Sequence, residues 1–306
     1  MFTFVIRPIL VITNTSSFWT FVLKKIESKI VLGTANFGQQ YGLDKNSSGL
    51  SREKAQQIMC SALESGVNRI DTAQSYGKAM DICFSHTHAT RFKFFGKIQF
   101  GKSLDQLADF CTQKKVSFDS VMVHLDPREL PCTGDLTSYL NKMKKYSQFG
   151  RIGLSIYNES DVDTKILKAI KILQIPYSIF DRRFKDSGYI DDAKAEGVEI
   201  HARSIFLQGL ILIDAKKLSQ YFNRFKESFK LFEEFCMKAN ITKHQAALNF
   251  VLAEKKIDGL VVGVDSEKQL AATISLETQL VDTEMSKVPN FTKNDLPLIL
   301  PYLWQV

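Results

Sequence analysis

No Gly-x-Gly-x-x-Gly follows any apolar run in this 306-residue chain, which removes the main signal for a Rossmann dinucleotide fold. Cysteine is sparse: the five residues at 60, 83, 111, 132 and 236 are odd in number and widely spaced, a pattern that suits a reduced, cytoplasmic setting better than a disulfide framework. No uninterrupted apolar stretch is long enough for a membrane helix. The net charge of +7 comes from Lys spread along the chain, with small clusters such as Lys142, Lys144 and Lys145 that suit exposed helix faces. Zinc-finger spacing, RNA-binding aromatic motifs and a sustained basic arm are all missing, so no nucleic-acid partner is expected. No metal site is expected either. His86 and His88 form an HTH run without a third imidazole or a nearby carboxylate, and they read as exposed loop residues.

The first 25 residues stand apart. They are richer in apolar residues than the segment after them, yet the charge-free run from Pro8 to Leu23 carries Asn14 and several hydroxyls in its middle, too short and polar to span a bilayer. A secretory signal is poorly matched, with only Arg7 ahead of the apolar part and no small-x-small cleavage site. We expect residues 1–25 to lie outside the fold and 26–306 to form it.

The 44% hydrophobic content supports a large core. From Ile30 onward, short apolar runs alternate with longer amphipathic ones. The short runs are 30–34, 67–73, 92–98, 118–125, 151–156, 172–178, 198–204 and 257–264, eight in all. Helix starts are marked between them. Ser51 precedes Ala55, Ile58, Met59, Ala62 and Leu63 at one-face spacing, and Gly66 closes that stretch. Ser103 with Gln106, Thr242 with Gln245, and Ser266 with Gln269 have capping-box spacing. Eight strands separated by helices predict an α/β fold of parallel strands closed into a single-domain (β/α)8 TIM barrel. The Phe- and Lys-rich insertion from Asp214 to Asn240 reads as an amphipathic helix on the barrel exterior.

In such a barrel, chemistry sits at the C-terminal ends of the strands. Asp71, Lys97 and His124 stand at the polar positions near the ends of the second, third and fourth runs, with Tyr76 just after the second in DTAQSYG. A carboxylate, an ammonium, an imidazole and a phenol therefore meet at one rim. A free Tyr ionises near pH 10, so as an acid at neutral pH it needs a cation to stabilise its phenolate. Lys97 is the candidate cation, Asp71 its counterion, and His124 the group that orients a carbonyl toward Tyr76.

The segments LGTANFGQQYG, ALESGVNRIDTAQSYG, GKI, VMVHLD, GLSIY, QIPYSIFDRRF and HARSIFLQGLIL resemble the aldo/keto reductase superfamily over about Ile30 to Leu280. The resemblance implies a catalytic tetrad of Asp71, Tyr76, Lys97 and His124, and reduction of an aldehyde or ketone, including sugar-derived ones, by an NAD(P)H cofactor. Its implied cofactor contacts are Gly33, Thr34, Ser155, Gln174, Arg203, Ser204, Gly263, Ser266 and Lys268, with Arg203 and Ser204 facing pyrophosphate or substrate. NADP is the family's usual form; NAD is the alternative, because Asp265 and Glu267 flank Lys268 in the loop. FDRRF and ARSIFLQG look most like a bacterial branch linked to polysaccharide biosynthesis. Three positions depart from the pattern: Ile156 replaces an Asn, with Asn158 as a substitute, Thr273 replaces an adenine-contacting Asn, and Ala79-Met80 replaces Ser-Glu. These departures sustain a second reading, a cofactor-binding sensor module with little turnover.

Overall fold

The computed structural model describes residues 29–43, 49–277, 285 and 288–305. The expectation for residues 1–25 lies outside the described residues. Eight parallel strands close into a barrel in chain order: β1 Ile30–Gly33, β2 Arg69–Asp71, β3 Lys93–Gln99, β4 Ser120–His124, β5 Arg151–Ser155, β6 Ile172–Pro176, β7 Glu199–Arg203 and β8 Gly259–Gly263. β1 pairs with both β2 and β8, which completes the ring. All eight expected strands are present. Most are shorter than their apolar runs, because the residues beyond each pairing register turn into loops.

The helices in chain order are α1 Arg52–Glu64, α2 Ala79–Phe84, α3 Leu104–Lys114, α4 Thr133–Met143, α5 Arg183–Asp186, α6 Tyr189–Ala195, α7 Lys226–Lys238, α8 Lys243–Ala253, α9 Glu267–Glu277 and α10 Leu296–Ile299. Ser51 caps α1 through the Lys54 N–H. The hydroxyls of Ser103, Thr242 and Ser266 accept from the N–H groups of Gln106, Gln245 and Gln269, as their spacing predicts. At α9 the Gln269 side chain also reaches back, its Oε1 accepting from Asp265 N, one residue before the cap, at 2.7 Å. The insertion at 214–240 departs from a single helix. It opens with two 3-10 turns, Ala215–Lys217 and Gln220–Phe225, before α7 begins. α7 then buries Phe229 and Phe232 against Phe180, with ring centroids 5.2 and 5.3 Å apart.

Side chains alternate in and out along a strand, so residues two apart stack inside the barrel. The middle of the interior is apolar: Val31, Phe95, Met122 and Ile172 form a separate buried cluster with Val261 against it. Below it, toward the N-terminal ends, lies an ionic layer in which Glu199 bridges Arg69 and Arg151, Arg151 also reaches Asp119, and buried His201 contacts Glu199 at 2.7 Å. Lys97, His124 and Gln174 stand two residues beyond Phe95, Met122 and Ile172, and Asp71, Ser155 and Arg203 join them at the ends of their strands. The rest of the core lies between barrel and helices.

The FDRRF segment ties this scaffold together. Arg182 donates to the Val288 and Pro289 carbonyls at 2.8 and 2.6 Å and stacks on Phe250 at 4.7 Å. Arg183 is held by Asp181 through two bonds of 2.9 and 2.8 Å, and donates to Asn158 Oδ1 and the Tyr157 carbonyl. The first arginine anchors the C-terminal segment; the second anchors the loop after β5.

Candidate active site

Asp71 and Lys97 form an ion pair at the barrel mouth in which each side chain is only 2% exposed. Gln174 from β6 closes a three-membered network, accepting from Lys97 Nζ at 3.1 Å and donating to Asp71 Oδ2 at 2.7 Å. Both ends of that amide are therefore committed inside the barrel, although the sequence assigned Gln174 to the cofactor. Burial pushes the Lys97 ammonium's pKa down from its usual value, and Asp71 opposes the shift.

Tyr76 sits on the loop after β2. That loop is pinned to β3 by a Gln74 N–H bond to the Lys97 carbonyl at 3.0 Å, and Gly77, at φ +52°, lets the chain turn away. The Lys97 ammonium lies 5.1 Å from the Tyr76 ring centroid, over the face of the ring. Burial, and then the Asp71 charge, push the phenol's pKa above its usual value, while Arg203 is the cation that lowers it. The sequence assigned that lowering to Lys97. That ammonium also bonds Asp71 and Gln174.

His124 is part-buried at the end of β4. Its Nδ1 is 3.0 Å from Ser155 Oγ and its Nε2 is 3.5 Å from the Tyr157 hydroxyl. Burial, then the charges of Arg203 and Lys97, lower its pKa to about 3, so the imidazole is neutral at physiological pH. Strand register explains the contact, since His124 is the partner of Ser155 and Ser155 that of Gln174.

Three further side chains complete the mouth. Arg203 at the end of β7 lies over the Tyr157 ring at 4.2 Å, donating to the Ile156 carbonyl at 3.0 Å and Ser204 Oγ at 3.2 Å. Tyr157 packs on His124 at 5.4 Å and receives the edge of Tyr302 at 5.2 Å. Tyr41, from the loop after β1, is 48% exposed, yet its hydroxyl is within electrostatic reach of Tyr76, Arg203, Tyr157 and Lys97. Tyr41 and Tyr157 lay inside the matching segments LGTANFGQQYG and GLSIY without a role, since spacing alone does not tell which loop residues fold back over a barrel.

Among the remaining expected contacts, Thr34 is fully buried and donates to the Asp71 carbonyl at 2.9 Å, so it lies in the wall between β1 and β2. A side chain at Gly33 would meet Val261 and the Gly263 N–H at 3.2 and 3.3 Å, whereas nothing lies within 4 Å of one placed at Gly263. The Ser266 hydroxyl caps α9 and Lys268 is exposed in its first turn. Asp265 accepts from Asn36 at 2.8 Å, and Glu267 accepts from Ser61. Asn158 donates to Asp161 Oδ1 at 2.9 Å and accepts from Arg183 at 2.7 Å. Thr273 is buried, bonded to the Gln269 carbonyl at 2.9 Å and near His244. His86 is a correction: it is 5% exposed and lies 3.4 Å from Cys60 Sγ, with its Nδ1 accepting from His88 N. Its ring fills the gap between the loop after α2 and α1. Among the described residues no group of ligands is placed to hold a metal.

Fold and mouth together define a barrel enzyme with acid–base groups at its C-terminal face. The profile of the Aldo/keto reductase family matches residues 29–90 and 102–292, and the chain belongs to that family. It is an NAD(P)H-dependent oxidoreductase. Its fold is similar to that of the aldo-keto reductase AKR11C1 from Bacillus halodurans in its holo form, at 18% identity, with 87% of this chain and 94% of that chain covered and a TM-score of 0.65. It also resembles a thermostable aldo-keto reductase, Tm1743, solved with the inhibitor epalrestat, at 17% identity, the same two coverages and a TM-score of 0.63. No curated protein matches the sequence. The matches reach the family as a whole and do not support a polysaccharide-biosynthesis branch.

Proposed function

We propose that the chain reduces an aldehyde or ketone to the alcohol with Tyr76 as proton donor. The observation that carries this reading is the meeting of the buried Asp71–Lys97 pair, a protonated Tyr76 and a neutral His124 at one end of the barrel. The open space at Gly263 and the exposed Lys268 in the first turn of α9 fit a group that carries phosphates. Gly263, Ser266 and Lys268 would hold the phosphates, while Ser155 and the outer face of Gln174 would border the nicotinamide. When bound, the cofactor supplies the hydride. We favour NADP, for which Lys268 offers a cation, and keep NAD as the alternative because Asp265 and Glu267 oppose a 2′-phosphate.

The protein's own part is the proton. A raised phenol pKa keeps Tyr76 protonated at every physiological pH. Donation becomes downhill only as the carbonyl oxygen gains alkoxide character, because an alkoxide is a stronger base than a phenolate. With Ser155 donating to Nδ1, His124 presents Nε2–H to the carbonyl oxygen and aims it at Tyr76. Lys97 holds the Tyr76 ring through its face, and Asp71 with Gln174 keeps that ammonium in place.

Single-turnover oxidation of bound NADPH by a reactive aldehyde tests this. Tyr76→Phe keeps the ring on Lys97 and removes only the hydroxyl, so cofactor binding should survive while the rate falls by roughly 10² or more. A wild-type rate in the Phe variant would remove Tyr76 from the chemistry. A wild-type protein that bound NADPH but oxidised none across a broad carbonyl panel would favour a sensor.

A further inference from the structure

Arg203 stands out in the charge balance of the mouth. Lys97 is neutralised by Asp71 and His124 is uncharged, while Arg203 has no carboxylate partner among the described residues. Its guanidinium is held by neutral acceptors only, the Ile156 carbonyl and Ser204 Oγ, and its Nε is buried without any partner. A part-buried cation whose Nε is an unused donor gains from an anion that pairs with it.

Geometry says which side of the mouth that anion occupies. Although Arg203 stands at the end of β7, next to β8, its guanidinium leans the other way, across β6 to the end of β5, where it lies over the Tyr157 ring. The Tyr157 hydroxyl is 3.5 Å from His124 Nε2, the nitrogen that would face the substrate carbonyl. The phosphate-accepting loop of Gly263, Ser266 and Lys268 belongs to β8 and α9 instead. Tyr157 packs against this cation, and the Tyr41 and Tyr76 hydroxyls lie within reach of its charge.

We propose that Arg203 is a specificity-determining residue that receives an anionic group, a carboxylate or phosphate, carried on the substrate a few bonds from the reducible carbonyl. This rests on the carbonyl-reductase reading. A charge-assisted bond of this kind amounts to roughly 10- to 100-fold in affinity.

Two measurements test it. The first needs no turnover: calorimetric titration of NADPH-loaded protein with benzoate and with benzamide, which differ in charge and little in shape. Wild type should bind benzoate at least ~10-fold more tightly, Arg203→Gln should lose the preference, and Arg203→Lys should keep part of it. Equal binding of the two probes by wild type overturns the proposal, whether or not the Gln variant folds. The second compares kcat/KM for 3-carboxybenzaldehyde and benzaldehyde. Arg203→Gln should lower the first at least ~10-fold more than the second. If both fall equally and NADPH affinity falls with them, the anion belongs to the cofactor's pyrophosphate and the proposal fails. Failure to reduce either aldehyde removes the reductase reading, and the benzoate titration still decides on the anion.

Discussion

Lys97→Met is the sharpest test of how the mouth is held. Both side chains of the Asp71–Lys97 pair are 2% exposed, so removing the ammonium leaves a carboxylate inside the barrel with Gln174 Nε2, at 2.7 Å, as its remaining side-chain donor. Breaking a buried pair from one side costs about 3–5 kcal/mol. At roughly 2–4 °C of Tm per kcal/mol for a chain of this size, the expected loss is about 6–20 °C. The orphaned carboxylate is relieved by taking up a proton, so the deficit against wild type should be full at pH 8 and shrink as the pH falls. Adding Asp71→Asn removes the charge and keeps a shape that can still exchange bonds with Gln174. The double variant should recover at least half of the lost Tm, a strongly non-additive cycle. Thermal denaturation of the four proteins by circular dichroism between pH 5 and 8 provides the measurement. An additive cycle, or a Lys97→Met loss below ~2 °C, would refute the claim that the pair is desolvated. Activity should stay lost in the double variant, which separates the folding role of the pair from its role under Tyr76.

His124→Asn tests the neutral imidazole. The folded-state pKa of about 3 lies below the unfolded value of about 6.5, so the unfolded chain binds more protons between these limits. Stability should be fully present above pH 6.5 and fall as the pH drops toward 3, with a His124 contribution of at most ~1.4 kcal/mol per pH unit. Urea titrations at several pH values should show a shallower acid slope in the Asn variant, and an unchanged slope would contradict the assignment. Gly153→Ala probes barrel closure: the added Cβ would lie 2.1 Å from the Ile172 carbonyl oxygen, a backbone atom that cannot step aside. We expect a loss of about 1–3 kcal/mol or more in the same titrations, and a neutral effect would mean that β5 and β6 are less tightly apposed.

Much of this architecture was legible from residue order. A (β/α)8 barrel repeats one local unit, so counting eight apolar runs and finding caps at Ser51, Ser103, Thr242 and Ser266 was enough to define it, because strand length and N-cap chemistry are local properties. Asp71, Lys97 and His124 were legible for a related reason: each lies near the end of an apolar run, and parallel register brings strand ends to the same rim. The partners of these side chains were not. That Lys97 is shared by Asp71 and Gln174, that Arg203 crosses β6 to lie on Tyr157, and that Tyr41 reaches back over the mouth all depend on side-chain directions and loop returns across 26 to 162 positions of sequence. The burial of His86, read from sequence as an exposed loop residue, was decided the same way, by the packing of α1 against a loop. Sequence determined which groups arrive at the barrel mouth; only closure of the barrel decided which of their charges are spent on one another and which, like that of Arg203, remain for a ligand.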